Sequence, residues 1–220
     1  MAYRQTEHTQ SKKAGTRARI LKEARLLVTD SGFSSLAVAL VAKKSGIATG
    51  TIYRHFPSKA ELVAEVFKHA TEHELHAVTQ ASQVIASAKE RLNKAIETFA
   101  IRALQAPRLA YALIAEPVDP IVERERLSYR YAYAEAFEDL INDGIKANEF
   151  VEQNASTSAA ALVGLLTEAL VGPLAPHSDL THSETIEEQL GERATLSTQD
   201  KHTLLSDITQ LALRAVGCKD

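Results

Sequence analysis

Apolar side chains recur along this chain at three- and four-residue steps, and alternating strand-like runs bounded by turn residues are absent. The pattern therefore predicts helices throughout. Ile20, Ala24, Leu27 and Val28 make the stripe of a first helix beginning near Lys13, and Gly32 is its expected stop. Ser35 is placed to cap a second helix ending at Lys44, Gly46 breaks it, and a short third segment runs from Thr49 to His55 before Pro57. Ser58-Lys59-Ala60-Glu61 reads as a capping box, the Ser58 hydroxyl accepting from the Glu61 N–H while the Glu61 carboxylate reaches back. A fourth helix is expected from there to about Ser82.

Further helices are expected near 88–105, 107–115, 121–147, 155–172 and 200–216. Pro107 suits a first helical turn, and EPVDP at 116–120 forces an extended break, because a residue before proline avoids the α region. Residues 173–199 read as a long connection holding at most one short helix, Glu184 to Leu190. The expected fold class is all-α, with an N-terminal three-helix head over residues 1–57, its first 12 residues a flexible tail, and a helical body over 58–220.

Charge changes the picture by being sorted along the chain. Residues 1–60 carry a net +8 and residues 61–220 a net −11, which the overall −3 conceals. Only the head is suited to a polyanion. One cysteine, Cys218, excludes an internal disulfide framework, and the N-terminus lacks the apolar run of a secretory signal, so a cytoplasmic protein is expected. The apolar stretch from Ala159 to Leu174 reads as a buried helix rather than a membrane span, and no membrane partner is expected.

A helix, a tight glycine-containing turn and a second short helix form the helix-turn-helix arrangement, whose second helix enters the DNA major groove. In GTIYRHFPSK, Ile52 and Phe56 stand one turn apart and are expected to pack inward on Val41, Ile47 and Phe33. Thr49, Gly50, Thr51, Tyr53, Arg54 and His55 then face outward. Thr51 offers a methyl and a hydroxyl to base edges, Arg54 a fork for guanine or phosphate, and Gly50 a close backbone approach. Tyr53, His55 and Lys59 suit phosphate oxygens.

Over residues 17–65, and most specifically in GIATGTIYRHFPSK, the sequence resembles the tetracycline-repressor (TetR) family of one-component transcriptional regulators. The resemblance implies that Tyr53, His55 and Lys59 grip the backbone and that Thr49, Gly50, Thr51 and Arg54 lie nearest the bases. Ser35 and Lys44 join the candidate DNA contacts, with Lys12, Lys13 and Arg17 as tail residues within reach of phosphates. Leu36, Ala37, Ala39 and Ala48 depart from the family's hydroxyl or charged residues. Ala48 cannot cap, so Thr49 either caps the recognition helix or leaves its first N–H groups to phosphate or water.

A short recognition helix reads few base pairs, so a homodimer on a palindromic double-stranded operator is expected. The resemblance implies a four-helix interface from the last two helices, for which Leu162, Leu166, Leu204, Ile208 and Leu211 are the candidates. It also implies a small-molecule effector in the body, with Tyr111, Arg130, Tyr133, Phe137 and Leu166 as candidate lining. Leu127, Arg130, Ala134, Phe137 and Ile141 share a helical face, so the Arg130 guanidinium needs an anion, either a ligand's or that of Glu116, Asp119 or Glu168.

His69, His73 and His76 stand at i, i+4 and i+7, a spacing open to a transition metal, but with no cysteine nearby a solvated face is the simpler reading. Neither a metal nor a cofactor is assigned. Motifs for nucleophilic, phosphate-binding or zinc-hydrolase catalysis are lacking, and the acidic group Glu116, Asp119 and Glu123 reads as loop solvation, so an enzyme is not expected. The function expected is that of a ligand-responsive DNA-binding regulator, a repressor released by its effector. A metal-responsive regulator, an activator and a corepressor-dependent regulator are the alternatives.

Overall fold

A computed structural model describes residues 7–176 and 196–219. Among them are nine helices and an isolated antiparallel bridge between Phe150 and Cys218. The helices are α1 (Glu7–Ser31), α2 (Val38–Lys44), α3 (Thr49–His55), α4 (Lys59–Ala81), α5 (Ala88–Gln105), α6 (Pro107–Ile114), α7 (Pro120–Lys146), α8 (Ala155–Leu174) and α9 (Thr198–Ala215). The candidate helix from Glu184 to Leu190 lies outside the described residues.

Most boundaries have the local causes read from the sequence. Gly32, at φ +77°, and Gly46, at φ +64°, adopt the left-handed backbone that closes α1 and the turn after α2. Pro107 and Pro120 occupy first turns, where a missing N–H is harmless. Ser58 accepts from Glu61 N at 3.1 Å, but the Glu61 carboxylate makes no return bond, so the expected capping box is only half formed. Complete boxes close α5, through Ser87 and Glu90, and α9, through Ser197 and Asp200.

Two beginnings differ. α2 starts at Val38 with Ala37 as an uncapped N-cap, and Ser35 lies in the preceding turn, because burying Leu36 at 1% exposure pulls that turn inward. α1 starts at Glu7, so residues 7–12 of the expected tail extend the helix.

Two apolar clusters organise the packing. The first joins Ile20, Leu27, Phe33, Val41, Ile52 and Phe56 of the head to Leu62–Ala70 of α4 and to Leu109, Ala112 and Val122 from α6 and α7. Ile52 and Phe56 are 1% and 2% exposed; buried side chains of this kind contribute about 1.5–3 kcal/mol each and hold α3 in place. The second cluster fills the body, with Phe137, Ile141, Leu162, Leu166 and Ile208 at its centre. By length and composition α8 is apolar enough to cross a membrane, but Leu162, Leu166 and Leu170 lie in the core.

Candidate nucleic-acid interface and ligand cavity

α2, the turn Ser45–Ala48 and α3 form a compact corner whose outer face carries the hydrogen-bonding residues. Thr49, Gly50, Tyr53 and Arg54 are exposed, Thr51 and His55 half-buried. Arg54 donates to the Thr51 hydroxyl at 2.9 Å, so the two side chains stand together one turn apart. A methyl group built on Gly50 meets nothing within 4 Å, so nothing inside the protein requires glycine there. Ala48 caps no N–H, leaving the start of α3 without a side-chain cap. Ser35, Lys44 and Lys59 are exposed around this face.

Arg17 belongs to α1 rather than to a loose tail. It donates to Glu65 at 2.6 Å and lies 4.8 Å over the Phe56 ring, clamping α1 to α4 and to the end of α3. Burial holds the His55 imidazole below its ordinary value of 6.5, and Lys13, Arg17 and Arg54 push the same way. The free protein thus carries neutral His55 near neutrality, and a phosphate beside it would raise its affinity for a proton. If His55 meets phosphate, binding takes up a proton, so operator affinity is expected to rise as pH falls below about 6.5. Titrating affinity against pH for His55→Gln, which should flatten that rise, checks the assignment.

In the body, α4, α5, α6, α7 and α8 enclose a chamber of about 90 Å³. Phe67, Val78, Phe99, Leu109, Leu113 and Val163 give it an apolar wall. It shares Ile114, Arg126, Arg130 and Thr167 with an outer basin of about 340 Å³ that also carries Glu123 and Glu168. An apolar interior with a charged mouth is thereby formed. Glu74 and Arg102 pair within the chamber, Nη2 to Oε1 at 3.0 Å. Tyr133 stands edge-on to Phe99 at 5.4 Å between centroids. Burial, with the Glu74 charge adding to it and Arg102 opposing it, pushes the Tyr133 phenol up, so it stays a neutral donor. The Tyr129 phenol is likewise pushed up by burial and by Glu72.

Several candidates move. Of the expected lining, Arg130 and Tyr133 face the chamber, whereas Phe137 and Leu166 are core residues and Tyr111 packs against the core. Arg130 is exposed, and the buried guanidinium is Arg126, 8% exposed. The buried face of α7 runs through Val122, Arg126, Tyr133, Phe137 and Ile141, leaving Leu127 at 51% exposure. Arg126 donates to Glu123 and to the carbonyls of Leu113, Ala112 and Glu116. The acidic group at the corner is not loop solvation: Glu116 is 5% exposed, Asp119 accepts from Ile121 N at the start of α7, and Glu123 pairs with Arg126.

Of the interface candidates, Leu162, Leu166 and Ile208 are at most 3% exposed inside the subunit, Leu204 packs against the same core, and Leu211 alone is open, at 48%. The bulky side chains of α8 are consumed by its own core; its outward positions are Ala160, Ala161, Gly164 and Glu168. His69 and His73 line an open groove with Arg17, Lys22 and Arg25, and His76 is exposed. Among the described residues no group of three metal-ligating side chains converges, since His69 and His73 line a cationic groove and His76 is not part of it.

Residues 20–66 match the family described as "Bacterial regulatory proteins, tetR family". Those residues form a tetR-type DNA-binding domain. The helix-turn-helix head thus makes the chain a DNA-binding transcriptional regulator. Among relatives, the transcriptional repressor KstR2 of Rhodococcus jostii is 26% identical over 146 residues, 64% of this chain and 70% of that protein. The transcriptional activator FasR of Mycolicibacterium smegmatis is 26% identical over 150 residues, 68% of this chain and 67% of that protein. The fold is shared by FadR of Bacillus subtilis in complex with stearoyl-CoA, at a TM-score of 0.68 and 18% identity over 90% of this chain and 98% of that one.

Arg126 and Phe67 are functional candidates that sequence reading missed, and Glu116, read there as loop solvation or a partner for Arg130, instead bonds the head. Arg126 lay one turn after Val122 and two before Tyr133, a register that a count outward from Val122 exposes. Nothing local marks the role of Glu116, which depends on a contact 83 residues away.

Proposed function

We propose that this chain is a homodimeric tetR-family repressor that reads a two-fold operator through α3 and is released by an amphipathic effector with an acyl chain. The observation that carries the effector class is the chamber, apolar within and flanked by Arg126 and Arg130 at its mouth. Together with the basin it falls in the range of ligand sites, roughly 300–1,000 Å³. An acyl chain suits the interior, and the anionic head of an acyl thioester suits the arginines. The stearoyl-CoA complex of FadR, which has the same fold, supports that reading. Like its relative KstR2, named a repressor, the protein is taken to bind DNA without effector.

The head over 1–57 reads DNA and the body over 58–220 senses and dimerises, with α4 shared by both cores. Tyr53, His55, Lys59, Ser35 and Lys44 hold phosphates, while Thr49, Gly50, Thr51 and Arg54 approach the bases. Dimerisation uses the outward stripe of α8, whose Gly164 has open space around it, together with Leu211 of α9. The protein works in the cytoplasm, where the operator is.

Titrating the operator complex with stearoyl-CoA tests the effector class: release is expected, and unchanged binding up to saturating probe contradicts it. The contact assignment has its own test. Tyr53→Ala and Lys59→Ala should weaken binding to all duplexes alike, whereas Arg54→Ala should relax preference at one base position, at about 1–3 kcal/mol. Competition assays on single-base operator variants separate the two, and a uniform loss for Arg54→Ala removes it from base reading.

A further inference from the structure

Buried carboxylates are expensive unless their oxygens are bonded and their charge is balanced. Glu116, in the corner between α6 and α7, meets the first condition by reaching across to the head. Its Oε2 accepts from Phe33 N at 2.9 Å and its Oε1 from Ser34 N at 2.8 Å, the first peptide donors beyond the Gly32 stop of α1. Arg108, at the other end of α6, donates to the Ser31 carbonyl at 3.2 Å. The turn that delivers the chain from α1 into α2 is therefore held from both ends of one body helix.

That helix is in turn held by a residue of the cavity. Arg126 Nη2 donates to the Glu116 carbonyl at 2.7 Å, and its Nε to the Leu113 carbonyl at 3.0 Å. Among the described residues Glu116 forms no ion pair, and Arg126, itself paired with Glu123, is near enough to feel its charge. The Arg126 guanidinium lies 5.8 Å from the ring of Phe67, another wall residue, and that ring packs 5.9 Å from Phe33. Two walls of the chamber thus converge on the same turn of the head.

We propose that Glu116 and Arg126 form the latch through which the cavity sets the position of the DNA-reading head. An effector whose anionic group draws Arg126 toward the basin removes the bond to the Glu116 carbonyl and takes a nearby positive charge away. The Glu116 carboxylate then loosens from Phe33 and Ser34, and α2 and α3 lose their fixed position. A head free to swing must be ordered again at each half-site, so operator binding weakens. The inference rests on the DNA-binding and effector reading above.

The test uses the full chain. Operator affinity is measured for the wild type, Glu116→Gln, Arg126→Met and the double variant, with amide exchange at Phe33 and Ser34 followed in each. Each single change should weaken binding at least about ten-fold, the scale of a lost hydrogen bond to a charged group. The double variant should bind no more weakly than the weaker single one, since both break one path. In Arg126→Met, exchange at Phe33 and Ser34 should accelerate about ten-fold or more although Arg126 touches neither, while exchange in α9 stays as in the wild type. Arg126→Gln serves the same measurement if Arg126→Met does not fold. Single variants that bind within two-fold of the wild type, effects that multiply in the double variant, or unchanged exchange at the turn overturn the latch. A wild type that binds no DNA overturns the function instead and leaves the exchange result to judge the latch.

Discussion

Gly32→Ala is expected to abolish operator binding and lower the melting temperature, whereas Gly50→Ala should abolish binding while leaving the fold intact. At Gly32 the backbone is left-handed, at φ +77°, and a Cβ would sit 2.7 Å from Glu116 Oε2 and 3.0 Å from Oε1. The conformation costs about 1–2 kcal/mol for an L side chain and the overlap about 1–3 kcal/mol more, a large share of the roughly 5–15 kcal/mol that holds a domain folded. The carboxylate must move to relieve the overlap, and it is the group that fixes the turn into α2. At Gly50 the added methyl meets nothing within 4 Å, and alanine favours a helix by about 1 kcal/mol. Its harm can come only from outside the protein. Thermal melting beside operator titration separates the two; a Gly50→Ala protein with wild-type affinity would remove the close DNA approach at that position.

Ala110→Phe is expected to leave operator binding intact and make it unresponsive to effector. Ala110 lies on α6 in the chamber wall, and a ring added there occupies much of an interior of about 90 Å³. It displaces an acyl chain without touching α3. Excluding a few buried methylenes, at about 0.8 kcal/mol each, should raise the stearoyl-CoA concentration needed for release by about a hundred-fold. Measuring half-maximal release for wild type and variant checks this. Equal values would place the effector elsewhere, the α1–α4 groove being the next site to examine.

Local chemistry made the head legible. Gly32, Gly46, Pro57 and Ser58 each act on their immediate neighbours, so α3 and the start of α4 fall where the sequence puts them. Ile52 and Phe56 had to face inward because their one-turn spacing leaves no other apolar face. Ser35 failed as a cap for a tertiary reason: burial of Leu36 and the carboxylate of Glu116 together shape the turn after α1.

The body was legible as helices but less so as faces. On a 27-residue helix such as α7 the buried stripe can be counted from several starting points, and counting from Leu127 selected Arg130 where Arg126 is the buried cation. α8 is apolar nearly all round, so periodicity could not tell Leu162 and Leu166, which fill the core, from Ala160 and Gly164, which face outward. The chamber is made by five helices, and no single stretch of sequence encodes it.

The central claim is that paired α3 helices read DNA as one unit, and selection of bound duplexes from a random pool by the full chain tests it most directly. The expected product is a two-fold symmetric site whose half-sites lie about one turn apart, roughly 34–36 Å, selected by the wild type and relaxed at the same position of both half-sites by Arg54→Ala. A pool that shows no enrichment, or that enriches a site without two-fold symmetry, would contradict it.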